Sequence, residues 1–400
     1  MAAHRFAARA LALAAGLLMA GAAFAADDWK IDAETFEGLR ARALGPGVMS
    51  GRIACIDGVS GDRVTLWVGT AGGGVWRSKN NGTTWQPVFD NYTQSIGAIR
   101  VAPSNPKIVW VGTGETWARN SVGYGDGIYK TTDGGDSWTR MGLEKTERIA
   151  RILVHPAHPD TVLVAATGPL FNDSPERGVY RTTDGGKTWT RTLYVDARSG
   201  AADLAMDPQN PDVVYATLWS MRRQAWTFAS GGPGSGLYKS TDGGKTWRKL
   251  TKGLPEGDLG RIGISVSPAR ASRVYAIVEA KKTAFYISDD SGESWKKGND
   301  SSQDVTWRPF YFANVVADPK NADRVYKGGL NLSASEDGGI TFTGVSGGGR
   351  GGGPTPYHSV ATTSSTMEAA AQAATTPRGA MPVSPAPSPP RRKSARASLK

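Results

Sequence analysis

The amino-acid sequence predicts an all-β fold, a β-propeller of four-stranded antiparallel blades, on three observations. A turn motif, Ser/Thr-x-Asp-x-Gly-x-Ser/Thr-Trp, occurs six times with small variations. Its closing aromatic recurs after 53, 51, 58, 48 and 47 residues, a period that marks solenoids and propellers. Two apolar runs joined by a proline-containing turn precede most copies, so one period holds four short strands.

The first copy of the motif is Val75-Trp76-Arg77-Ser78-Lys79-Asn80-Asn81-Gly82-Thr83-Thr84-Trp85. The others occupy residues 128–138 (IYKTTDGGDSW), 179–189 (VYRTTDGGKTW), 237–247 (LYKSTDGGKTW), 285–295 (FYISDDSGESW) and 332–342 (LSASEDGGITF). An apolar-aromatic pair ends one strand. Asp133, Asp184, Asp242, Asp290 or Asp337 then accepts backbone N–H groups across the turn, a role the neutral Asn80 can also fill. The glycine two residues later permits a backbone angle that side chains resist. The closing rings, Trp85, Trp138, Trp189, Trp247, Trp295 and Phe342, are expected to pack into the blade. These twelve residues are read as structural.

The preceding strand pairs fall at 98–103 with 108–113, 152–156 with 161–167, 204–208 with 213–218, 262–268 with 274–278, and 315–319 with 324–327. Six blades are therefore visible within residues 26–350, as part of a seven-bladed or larger propeller. The last is expected to be incomplete, because the sequence turns Gly-rich after Phe342. Residues 351–400 are low in complexity, with an Ala/Ser/Thr/Pro bias and a basic end, and cannot bury enough apolar area to fold. They read either as a natural disordered terminus or as the product of a truncated or frame-shifted gene.

Residues 1–25 have the pattern of an export signal: Arg5 and Arg9, an apolar run, then Ala23-Phe24-Ala25 as a cleavage site. A periplasmic or secreted protein is expected, with no membrane span in the mature chain. The single cysteine, Cys55, has no partner for an internal disulfide and lies in an apolar run, which suggests an inert thiol. Of the formal net charge of +11, the signal contributes +2 and the segment from residue 351 contributes +5, leaving +4 for the body. That balance argues against a nucleic-acid partner.

The repeated turn resembles the Asp box of the BNR/Asp-box superfamily, which includes sialidases, xyloglucanases and the sortilin N-terminal propeller. Leu44-Gly45-Pro46-Gly47-Val48-Met49-Ser50-Gly51-Arg52-Ile53, with Gly73-Gly74-Val75-Trp76-Arg77-Ser78, looks most like secreted bacterial proteins labelled sortilin-like or glycosyl-hydrolase BNR-repeat. The resemblance covers roughly residues 44–345. It implies the fold strongly and an activity weakly, because the same repeat serves enzymes and receptors. It also implies that any ligand sits on the face opposite the boxes. In the xyloglucanases, one catalytic Asp lies in a Thr-Asp-x-Gly-Gly segment after the second strand of the first blade. The matching segment here is Thr70-Ala71-Gly72-Gly73-Gly74, and Ala71 cannot exchange a proton.

A glycosidase needs two carboxylates about one bond. On the loops expected at the ligand face, only Glu115 and Asp126 suggest themselves. The same loops carry Trp117, Asn120 and Tyr124 in the second blade, and Trp219, Arg222, Arg223 and Trp226 in the fourth. Trp307, Arg308 and Tyr311 precede the sixth. Aromatic rings beside Arg and Asn suit stacking on sugars or gripping a peptide; packing of the loops against one another is the other reading. His155-Pro-Ala-His158 lacks the Cys or carboxylate companions of a metal site, so no metal and no cofactor are expected. The chain therefore reads as an exported binding or scaffold module for polysaccharide, peptide or protein. A BNR-type glycoside hydrolase, possessing or lacking activity, is the alternative.

Overall fold

A computed structural model describes residues 52–59, 64–329 and 332–345. The expected signal at 1–25 and the tail at 351–400 lie outside the described residues.

Six antiparallel sheets follow one another along the chain, each the blade of a β-propeller. The first is β1 (Ile53–Val59), β2 (Thr65–Thr70), β3 (Val75–Ser78) and β4 (Gln86–Pro87). The second is β5 (Ile96–Ala102), β6 (Asn105–Thr113), β7 (Ile128–Thr131) and β8 (Thr139–Arg140), and the third is β9 (Ile149–Val154), β10 (Val162–Ala166), β11 (Gly178–Thr182) and β12 (Thr190–Leu193). The fourth holds β13 (Ser199–Met206), β14 (Val214–Arg223), β15 (Phe228–Ser230), β16 (Gly236–Ser240) and β17 (Arg248–Leu250). The fifth is β18 (Ile262–Val266), β19 (Val274–Val278), β20 (Ala284–Ser288) and β21 (Lys296–Lys297); the sixth is β22 (Asn314–Ala317), β23 (Val325–Gly328), β24 (Leu332–Ser335) and β25 (Thr343–Gly344).

Two expectations change here. The sixth blade is complete: β25 pairs with β24 and is as short as β4, β8 and β21. The loop expected after the second strand of the fourth blade is a hairpin, because β14 runs on to Arg223 and pairs with β15.

The innermost strands β1, β5, β9, β13, β18 and β22 pack in succession and line a central channel of about 360 Å³. Their closeness explains two glycines. A side chain at Gly97 would overlap the carbonyl oxygen of Ile149, and one at Gly263 would overlap that of Ala313. Cys55 stands in the channel wall, and burial pushes its thiol up to about 12.

The Asp box works as its residue types require. In the second blade the Asp133 carboxylate accepts the N–H groups of Asp136 and Ser137 at 2.9 and 3.0 Å and the Thr131 hydroxyl at 2.6 Å. Gly135 closes the turn at φ 95°, and its N–H donates to Thr131 Oγ1. In the first blade Asn80 Oδ1 accepts the Thr84 N–H at 2.9 Å and Nδ2 donates to Thr84 Oγ1, so the neutral cap holds the same turn.

The closing aromatics do more than fill their own blades. Trp138 packs edge-on against Trp67 of the preceding blade, ring centroids 6.1 Å apart, and its indole N–H donates to Val88 O. Trp189 meets Trp110 in the same way, as Phe342 meets Phe285. A basic residue at the third position of the box motif adds a second seam. Arg77 donates to Gly134 O, Arg181 to Gly243 O at 2.9 Å, and Lys239 to Ser291 O and Glu293 at 2.7 Å each. Each acceptor lies in the box of the next blade. The boxes thus couple blades; Lys130 in the second instead reaches Asp160 in the next blade's proline turn at 3.2 Å, and Ile287 interrupts the pattern at the fifth.

Candidate functional site

Box turns and proline turns share one face, where the Gly134, Gly185 and Gly243 N–H groups donate to Lys107 O, Asp160 O and Asp212 O. The loops joining second to third strands, and those joining blades, emerge on the other, here termed the upper face.

Three of the six candidate rings on that face are buried. Trp117, Trp219 and Tyr311 are 4%, 0% and 8% exposed. Trp117 packs on Tyr311 at 5.5 Å, Tyr311 on Phe312 at 4.9 Å, and Phe312 stacks on Trp307 at 5.7 Å. Phe228 bridges Trp219 and Phe310. Leu170 and Met221 complete this second apolar cluster. Trp117 also lines the channel, so loops from the second and fourth blades and the segment before the sixth close its upper end. Only Tyr124 and Trp226, at 63% and 81%, are broadly exposed among the candidate aromatics.

The polar candidates hold this cap together. Asn120 accepts from Arg223, tying the second blade to the fourth. Arg222 pairs with Asp173 and reaches Phe171 O, and Arg308 lies over the Trp307 ring at 5.2 Å. A short helix, Gln303–Thr306, capped by Ser302, leads into the segment.

The two candidate carboxylates are each occupied by their own chain. Glu115 is 1% exposed and accepts from Arg52 Nε at 2.6 Å. Burial raises its pKa, against the pull of Arg52. Asp126 accepts the Tyr129 hydroxyl at 2.6 Å and lies 3.5 Å from Arg140. Burial raises its pKa, but hydrogen bonds from Thr93 and Tyr129 outweigh it, and the group stays below its ordinary range. Tyr129 is pushed up to about 12, by burial first and Asp126 second. Each carboxylate is thus engaged by groups of the same chain, Glu115 by Arg52 and Asp126 by Tyr129 and Arg140. Ala71, the position singled out by the resemblance, is buried in a turn closed by Thr70, whose hydroxyl accepts from Gly73 N–H and donates to Gly74 O.

Sequence reasoning missed the arginines that immediately precede alternate innermost strands: Arg52-Ile53, Arg148-Ile149 and Arg261-Ile262. The repeated dipeptide at equivalent places in blades one, three and five was the available signal. Arg261 is buried between Trp117 and Trp219, 4.7 and 5.2 Å from their rings, and donates to Phe310 O. Burial brings its pKa down to about 10, leaving it charged at neutral pH. Arg148 is 0% exposed, and only its Nη1 has a partner, Glu147 at 2.8 Å.

His155 and His158 form a plain turn: His155 Nδ1 accepts the N–H groups of Ala157 and His158. Among the described residues no group of three His, Cys, Asp or Glu could hold a metal ion, and no helix is long and apolar enough to cross a membrane.

Comparison with known proteins agrees with the repeat. Residues 73–199 match the family model described as sortilin, neurotensin receptor 3 (Sortilin-Vps10), and residues 238–249 match the BNR/Asp-box repeat. A xyloglucanase of Acetivibrio thermocellus is 29% identical over 248 residues, 51% of this chain and 26% of the relative. The photosystem II assembly lipoprotein Ycf48 of a Nostoc species is 27% identical over 229 residues, 52% of this chain and 62% of the relative. The chain thus spans about a quarter of the length of the first and under two thirds of the second. Among solved structures, an ancestral GH74 enzyme superposes with a TM-score of 0.54 at 20% identity, covering 73% of this chain and 37% of that one. That likeness concerns the fold.

Proposed function

We propose that this chain is an exported, non-catalytic propeller that holds a polypeptide or polysaccharide ligand on its upper face. The observation that carries the reading is the state of the carboxylates there. Glu115 is buried against Arg52, Asp126 is bound by Tyr129 and Arg140, and Ala71 stands where the resembling xyloglucanases place an acid. Hydrolysis of a glycosidic bond needs an acid and a base or nucleophile facing the same bond. Here Glu115 instead ties its loop to the first blade through Arg52, and Asp126 serves the packing of its own blade.

The relatives are compatible with both classes of role, since one is named as a xyloglucanase and another as an assembly factor. The Asp-box fold supports either. Parallel arrays of peptides and plant and bacterial glycans, probed with the full chain, test the proposal. Binding of one ligand class without release of sugar reducing ends is the expected result. Release of reducing ends that disappears in Glu115→Gln or Asp126→Asn would instead establish the glycoside hydrolase.

A further inference from the structure

Three arginines occupy equivalent positions at the start of β1, β9 and β18, and their guanidinium groups are used differently. Arg52 gives its Nε edge to Glu115. Arg261 spends its faces on two indoles and an N–H on Phe310 O. Nearby Arg177, equally buried, donates from Nε, Nη1 and Nη2 to four carbonyl oxygens. Arg148 alone of these keeps both Nε and Nη2 without a hydrogen-bond partner while 0% exposed. Those two N–H groups form the side of the guanidinium that grips a carboxylate through two parallel bonds. Leaving two donors of a buried cation unpaired is costly, and a ligand carboxylate removes that cost.

One of the groups lying over Arg148 is an aromatic ring. Tyr124 lies 5.3 Å from its Cζ, yet 63% of Tyr124 is exposed. The backbone on either side is fixed. Ser95 Oγ donates to Gly123 O, Gly125 N–H donates to Glu147 O at 2.9 Å, and a side chain at Gly125 would overlap the Thr113 backbone. The tyrosine can therefore leave by rotating its side chain, a fast motion for an exposed residue, without moving the loop.

We propose that the Nε–Nη2 side of Arg148 is a binding site for one carboxylate of a polypeptide ligand, reached by displacement of Tyr124. This rests on the binding function above. A polypeptide fits better than an acidic polysaccharide for two reasons. The fork is one deep site whose neighbouring cations are already engaged, Arg52 by Glu115 and Arg177 by four carbonyl oxygens. The rings that would stack on sugars are largely spent: Trp117, Trp219 and Tyr311 are buried in the cap.

The test uses an array of synthetic peptides in which each Asp or Glu is replaced in turn by Asn or Gln, with free and amidated C-termini, and polygalacturonate alongside. The full chain is compared with Arg148→Gln, Arg148→Lys and Tyr124→Ala. Wild type should prefer carboxylate over carboxamide at one position, and the free-versus-amidated pairs identify a side chain or the C-terminus as the source. Arg148→Gln should bind that peptide about ten- to a hundredfold more weakly. Arg148→Lys, charged but unable to form the fork, should weaken it as well, and Tyr124→Ala should keep the preference. Should Arg148→Gln not fold, the Nε–H resonance of Arg148 in wild type supplies the reading, and it should shift on addition of the preferred peptide but not of its carboxamide twin. Peptide binding indifferent to carboxylate or to Arg148 overturns the site and leaves the binding function standing. Binding of polygalacturonate through Arg148, with no peptide bound, overturns the choice of polypeptide. Sugar release with no ligand retained overturns both proposals.

Discussion

The guanidinium of Arg261, at the start of the innermost strand of the fifth blade, sits 4.7 Å from the ring of Trp117, which belongs to the second blade. Blades that are not neighbours in the ring are thereby joined over the upper end of the channel. A cation held against desolvated indoles is an attractive contact, and the surrounding rings exclude water from it. The cap is consequently a second core, separate from the cores inside and between blades.

Trp117→Ala should destabilise the protein by about 3–5 kcal/mol, the range for removing a buried aromatic, whereas Trp226→Ala should change stability by no more than about 0.5 kcal/mol. Equilibrium urea unfolding of the two variants checks this. Similar effects from both would mean that the cap contributes little and that Trp117 is available to a ligand.

Burial alone would raise the Asp290 and Asp337 carboxyls, but hydrogen bonds led by Ser294 and Thr341 outweigh it and hold both down at about 2. In Asp133, Asp184 and Asp242, bonds led by Ser137, Thr188 and Thr246 hold the carboxylates still lower. A depressed folded-state pKa stabilises the fold above the unfolded value near 3.8, and that stabilisation is lost as pH falls towards the folded value. The unfolding midpoint in urea should thus hold steady down to about pH 5 and fall between about pH 4 and 2. Asp290→Asn should flatten part of that slope. A slope unchanged in Asp290→Asn would show that the boxes do not govern acid stability.

The seam between the fourth and fifth blades should depend on Lys239. The residue is 6% exposed, and its ammonium bonds Ser291 O and Glu293. Lys239→Met keeps the apolar stem but removes both bonds, leaving the Ser291 carbonyl with the Tyr215 hydroxyl as donor, at a cost of about 1.5–3 kcal/mol, the range for hydrogen bonds to a charged group. Hydrogen exchange should show faster opening of β16–β17 and β20–β21 than of β5–β6. Uniformly faster exchange would indicate that the blades open together rather than at this seam.

The sequence made the blades legible because the box is local: Thr131, Asp133, Gly135 and Ser137 satisfy one another within seven residues. What Trp138 packs against was not legible, since Trp67 lies in another blade. The candidate site suffered the same limit. Trp117, Trp219 and Tyr311 look alike whether they face solvent or each other, and only the fold decides that they meet over the channel. The fourth strand of the sixth blade is not legible in the sequence because β25 is two residues long, too short for alternation to be visible. Arg148 was overlooked as one basic residue among many, although Arg-Ile at three blade starts was there to be read.

The account turns on whether the upper face processes a glycan or only holds a ligand, and prolonged incubation of the full chain with xyloglucan, scored by reducing-end release, asks this most directly. No release above that of heat-denatured protein is predicted, in wild type and in Glu115→Gln alike. Release by wild type that is lost in Glu115→Gln, with the variant's unfolding curve still cooperative, would contradict it.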